Sequence, residues 1–193
     1  MIKILLLLGK SCSGKTTIQK ELIKLGMLPI IQYTTRPKRE KEINGVTYNF
    51  ISKDEFELLK DKGFFITTRH YNVGNGDTWM YGTAKKDLSD NKVLITNPKE
   101  FDMLCKLNIQ DIHIISVYIN TSEYVIWDRL LRRKDNIDEA QRRLISDRED
   151  FLGIECDADF VFRNDGELKP RVLADMIKYC YNKCLKMEDL EYE

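Results

Sequence analysis

Residues 9–16 read G-K-S-C-S-G-K-T and fit the pattern G-x-x-x-x-G-K-[ST] at every fixed position. The chemistry of that spacing is phosphate binding. Gly9 and Gly14 let the backbone wrap an anion without a Cβ clash. Lys15 brings a point charge to the β- and γ-phosphates of a nucleoside triphosphate, and the small Thr16 hydroxyl suits Mg²⁺. Backbone N–H groups of the loop, at Ser11, Cys12 and Ser13, and of Thr17 in the helix that follows point at the same anion. Cys12 reads as a small neutral residue of the loop rather than an activated thiol.

A second group of phosphate-binding residue types follows. Residues 34–50 read T-T-R-P-K-R-E-K-E-I-N-G-V-T-Y-N-F. Arg36 and Arg39 are two guanidinium forks, and Tyr48 adds a phenol, together enough to hold one phosphate. Tyr81-Gly82-Thr83 supplies another phenol and a hydroxyl. Alone, such a run is a solvated basic loop. Behind a phosphate loop it reads as a second phosphate site.

These residues need elements to position them. Residues 2–8 form an almost unbroken apolar run, which suits a parallel strand buried on both faces. Ile18, Leu22 and Leu25 then fall on one helical face. Strand, glycine-rich turn and helix is the order that phosphate binding requires. Residues 29–33 predict a second strand, 34–44 a loop, and the alternation over 46–51 a half-exposed strand. Ser52 and Glu55 make a capping box for a helix through 61, ended by Gly63. Further strands are predicted at 64–68, 79–83, 93–95, 112–119 and 160–162, with a turn at 72–77. Helices are predicted over 100–107, from a Thr121 cap to about Arg133, from an Asn136–Glu139 box to about 151, and over 170–185.

Apolar strands alternating with helices argue for a parallel α/β sheet. Residues 34–83 break that rhythm and read as an inserted small mixed subdomain.

The chain has 193 residues, room for one sizeable core. Its formal net charge is +0, which argues against nucleic acid or a membrane surface as partner. Five scattered cysteines and two histidines carry no zinc spacing and fit the reduced thiols of a cytoplasm. The apolar start is too short for a membrane span.

Taken together, the phosphate loop, the segment at 34–50, Y-G-T, an arginine-rich stretch and R-N-D at 163–165 resemble the guanylate kinase family over nearly the whole chain. The resemblance implies a three-layer phosphate-loop kinase fold with its core over 1–33, 84–132 and 152–193, an acceptor-binding insertion over 34–83 and a helical lid over about 133–151. It also implies ATP and Mg²⁺ as cofactors and a nucleoside monophosphate as acceptor, GMP or dGMP. It implies that Arg36, Arg39, Tyr48 and Tyr81 bind the acceptor phosphate. Arg133 and Arg143 would be lid arginines that neutralise the transferring group, and Asn164 would lie near the donor adenine. Arg129, Arg132 and Arg142 read mostly as a solvated face. The implied partners are small nucleotides, and the implied state is a monomer or homodimer.

The base-reading positions depart from the family pattern. Thr67 stands where a glutamate is usual, Asn97-Pro98 where an acid is usual, and Gln32 where a serine is usual; Thr83 keeps a hydroxyl. Kinase chemistry is therefore better supported than guanine specificity. Thr67→Glu is expected to shift preference toward GMP. Two rivals follow: a related kinase for another base or a sugar phosphate, and a non-catalytic binding module, against which the intact Lys15–Thr16 pair argues.

Overall fold

The computed structural model describes residues 2–73, 76–107, 112–133 and 137–184. Its first half runs β1 (Ile2–Leu8), α1 (Lys15–Lys24), β2 (Leu28–Pro29), β3 (Tyr33–Thr34), β4 (Asn49–Phe50), α2 (Lys53–Asp61), β5 (Phe65–Asn72) and β6 (Thr78–Ala84). Its second half runs β7 (Lys92–Ile95), α3 (Pro98–Lys106), β8 (Ile112–Asn120), α4 (Glu123–Arg133), α5 (Ile137–Asp150), α6 (Ile154–Asp157), β9 (Phe160–Arg163) and α7 (Pro170–Lys183).

The strands make two sheets. One is parallel throughout, in the order β2-β7-β1-β8-β9. The apolar run of β1 lies at its centre, and its alternate residues feed two cores. Leu5 and Leu7 pack with Ile18, Leu22 and Ile177 on one face. Ile4, Leu6 and Leu8 pack with Phe101, Leu104 and Phe151 on the other. Each such leucine contributes about 1.5–3 kcal/mol of burial, so a strand apolar at all but Lys3 belongs inside a sandwich of helices.

The second sheet, β4-β3-β6-β5, has its own core of Phe56, Phe65 and Met80, with Tyr33 and Phe64 packed against it. A Cβ on Gly82 would lie 2.6 Å from the Phe65 ring, so the Y-G-T glycine is required by packing. Ser52 caps α2 by accepting from the Glu55 N–H at 3.1 Å. Strands β5 and β6 pair antiparallel, and at their connected ends Val73 N–H donates to the Asp77 carbonyl.

Four expectations are corrected. Residues 29–33 are not one strand: Ile30 N–H bonds to Val93 of the parallel sheet, whereas Tyr33 pairs in the second sheet. One apolar run thus serves two cores, which periodicity cannot reveal. The strand expected over 46–51 is reduced to β4, because Thr47 N–H turns back onto the Ile43 carbonyl and leaves Val46 exposed. Thr121 precedes α4 by two residues, and its hydroxyl donates instead toward the carbonyls of Ser13 and Asn164, at 3.2 and 3.3 Å. Arg129 is not on a solvated face but grips the phosphate loop, as described below. The Asn136–Glu139 box lies outside the described residues. Among the described residues no helix is long and apolar enough to cross a membrane.

Candidate active site

Strand β1 delivers the chain into the loop at Gly9, and α1 begins at Lys15. Gly14 adopts φ +99°, and a Cβ there would sit 2.4 Å from the Asn164 amide nitrogen. Cys12 also takes a left-handed φ of 59°, an uncommon conformation for a side chain that bears a Cβ. Neighbours hold it there. Its side chain packs against Ile126, Leu130 and Leu144, and Arg129 Nη1 donates to its carbonyl at 3.1 Å.

Asn164, just after β9, and Arg129 of α4 brace the loop as well. Asn164 Nδ2 donates to the Ser13 carbonyl at 2.7 Å, and Arg129 Nη2 donates to the Asn164 carbonyl at 2.8 Å. The Asn164 amide is therefore engaged with the loop backbone.

Lys15 Nζ curls back to donate to the carbonyls of Gly9 and Lys10, at 2.5 and 2.8 Å. Burial pushes this ammonium down to about 8, with Asp147 and Cys12 pulling the other way. A carboxylate is already seated on the loop: Asp147 of α5 accepts from the Ser11 N–H at 2.5 Å. A loop that gathers an anion onto its N–H groups fits the phosphates of a nucleoside triphosphate. Thr16 and Thr17 stand exposed in the first turn of α1.

A cleft of about 360 Å³ runs from this loop to the second sheet. Gly9, Ser11 and Lys15 line one end, and Arg39, Tyr48 and Tyr81 line the other. Helix α5 adds Arg142, Ser146 and Asp147. The Tyr48 and Tyr81 rings meet edge to face at 5.9 Å. Burial pushes the Tyr48 phenol above its ordinary range, so it stays a proton donor at neutral pH.

Arg36 stands behind this wall rather than in it. It is 5% exposed, lies against the rings of Tyr48 and Phe50, and bonds to Glu42 Oε1 at 2.6 Å. Burial would raise the Glu42 carboxyl, but the Arg36 and Arg39 contacts more than offset it and hold the group below its ordinary range. The Arg39 backbone N–H fixes the same loop by donating to Glu42 Oε2 at 2.8 Å.

Beside Gln32, away from the phosphate loop, lies a carboxylate that motif spacing missed. Glu100 is fully buried on α3, where its N–H caps onto Asn97 Oδ1 at 2.9 Å. Its Oε1 accepts from the hydroxyls of Thr67 and Thr83, at 2.8 and 2.7 Å. Its Oε2 accepts from the Thr96 hydroxyl at 2.5 Å and faces Arg69 Nη2 at 3.0 Å. Gln32 Nε2 lies 3.0 Å from both oxygens and 2.9 Å from Thr83 Oγ1. Thr67 and Thr83 thus lie behind the cleft, bonded to Glu100, while Gln32 reaches its lining. The signal in the sequence was N-P-K-E at 97–100, an N-cap residue with glutamate three places on.

Arg133 ends α4 and Arg143 lies within α5; both side chains lie outside the described residues. Sequence spacing singled out neither Asp147 nor Arg69.

Comparison with known proteins follows the same outline. A family model described as guanylate kinase matches residues 1–167. The guanylate kinase of Helicobacter pylori is 29% identical over 197 residues, covering 91% of this chain and 86% of its own. That of Mycoplasmopsis pulmonis is 53% identical over 89 residues, 44% of this chain and 42% of its own. The crystal structure of guanylate kinase from Anaplasma phagocytophilum superimposes with a TM-score of 0.66 at 23% identity, covering 94% of this chain and 86% of that one. The phosphate-loop α/β fold is common to both.

Proposed function

Since the chain belongs to the guanylate kinase family and is a nucleoside monophosphate kinase, we propose that it transfers the γ-phosphoryl group of ATP to GMP or dGMP, giving ADP and the diphosphate. The observation that carries this reading is the continuous cleft from Lys15 and Ser11 to Arg39, Tyr48 and Tyr81. Two phosphate-binding ends facing one space suit in-line transfer between two phosphorylated molecules.

In this reading the loop N–H groups and Lys15 hold the donor's phosphates. Lys15 exchanges the carbonyls of Gly9 and Lys10 for phosphate oxygens. Thr16 would ligate Mg²⁺, which when bound offsets charge on the β- and γ-phosphates. Arg39, Tyr48 and Tyr81 orient the acceptor phosphate, with Arg36 stiffening the Tyr48 wall from behind. Lid arginines, Arg133 and Arg143 by position, complete the neutralisation. Closure of α4 and α5 excludes water, so that the acceptor attacks rather than solvent.

The test is ADP release from ATP and Mg²⁺ across the nucleoside monophosphates and a set of ribose phosphates. Turnover confined to ribose phosphates would overturn the nucleotide reading.

A further inference from the structure

Arg69 and Glu100 sit together at the end of the cleft away from the phosphate loop. Thr67, Arg69 and Tyr71 alternate along β5 and so share one face of the strand. Arg69 is 11% exposed and lines the cleft. Its Nη2 donates to Gln32 Oε1 at 3.2 Å and pairs with Glu100 Oε2 at 3.0 Å, while the guanidinium lies 5.8 Å from the Tyr81 ring centre. The fork is therefore held in one orientation.

Two facts decide what this wall can recognise. Glu100 is saturated: its two oxygens already face three hydroxyls, the Gln32 amide and the Arg69 guanidinium. A carboxylate offers about four lone-pair positions, so none is left for the N–H groups of a base. Arg69 Nε, in contrast, is a buried donor with no hydrogen-bond partner among the described residues. A buried N–H without an acceptor is costly, and a ligand that supplies one is favoured.

Resting on the reading of this cleft as a purine monophosphate site, we propose that Arg69 is the specificity-determining residue and reads the 6-oxo group of the base. Glu100 is a positioning residue that holds Arg69. The substrate class is then the 6-oxopurine monophosphates, GMP and IMP alike, because the buried carboxylate of this wall, Glu100, has no lone pair left to accept from the 2-amino group. A 6-amino purine would set its own N–H donors against Arg69, whereas a 6-oxo group presents the acceptor. A site of buried polar groups rejects the mismatched partner strongly.

The experiment measures kcat/KM with ATP for GMP, IMP and AMP. Wild type should use GMP and IMP within about tenfold of each other and AMP at least about a hundredfold less well. Arg69→Gln alone leaves Glu100 as an unpaired buried charge and endangers the fold, so Arg69→Gln is combined with Glu100→Gln. The double variant should narrow the GMP-to-AMP ratio by about tenfold or more, with KM for ATP unchanged. Preference for GMP over IMP by more than about a hundredfold would overturn the proposal and leave the kinase reading intact. So would a double variant that keeps the wild-type GMP-to-AMP ratio. Absence of turnover with every nucleoside monophosphate would overturn the acceptor reading, and this proposal with it.

Discussion

Asp147, on helix α5, accepts a hydrogen bond from the backbone N–H of Ser11 at 2.5 Å, inside the phosphate loop. A carboxylate thus occupies a backbone donor of the loop, and α5 is tied to the loop by it. Under the proposed function, a bound triphosphate would displace it.

Replacing Asp147 should therefore tighten donor binding. Asp147→Ala is expected to lower KM for ATP by about threefold to tenfold at pH 7, one charge-assisted hydrogen bond being worth about 1.5–3 kcal/mol before losses. Steady-state kinetics check it. An unchanged or higher KM would mean that the carboxylate does not compete with phosphate.

Lys15 carries the largest charge effect. Lys15→Ala should abolish transfer, because positioning and neutralisation supply most of phosphoryl-transfer catalysis. Circular dichroism should show the fold retained. A variant with near-normal kcat would contradict the site.

The lowered Lys15 pKa gives a pH dependence with a definite sign. Burial brings it to about 8, and bound phosphate favours the charged form, so the complex keeps the proton to higher pH. ATP affinity is then full below pH 8 and weakens above it by about tenfold per unit until the complex titrates. The ligand-free fold trends oppositely: its cost of burying a charged lysine is fully present below pH 8 and is relieved as pH rises toward the ordinary lysine value. Calorimetric titrations across this range should show proton uptake on binding, and Lys15→Met should remove both slopes.

Arg36 and Arg39 should separate in their effects. Arg39→Ala is expected to raise KM for the acceptor by about tenfold or more and to leave stability unchanged, since Arg39 is exposed and lines the cleft. Arg36→Ala removes the partner of Glu42 and the support of Tyr48 and Phe50, so it should lower Tm as well. Thermal melts beside kinetics distinguish the two. Equal behaviour of both variants would contradict this division.

The geometry also revises the expectation for position 67. The Thr67 hydroxyl lies 2.8 Å from Glu100 Oε1, so Thr67→Glu would press two carboxylates together in a buried place rather than restore guanine reading. Thr67→Glu should lower Tm, and adding Glu100→Gln should recover most of the loss. A stable single variant with raised GMP preference would refute this.

The sequence by itself determined what is written in local spacing. The loop at 9–16 needs only its own glycines, lysine and threonine, and β1 announces burial on both faces by being apolar at all but Lys3. Ser52 and Glu55 fix the start of α2 for the same reason: the partners are three residues apart. Tertiary structure alone decided the switch of residues 29–33 between sheets, since one apolar run serves two cores there. It also decided the base wall. Gln32, Thr67, Thr83 and Thr96 come from distant segments and meet only because the fold brings all four onto Glu100, a charge that must be surrounded by donors once it is buried. Nothing in the spacing of those residues could reveal that the missing acid on β5 has a counterpart on α3.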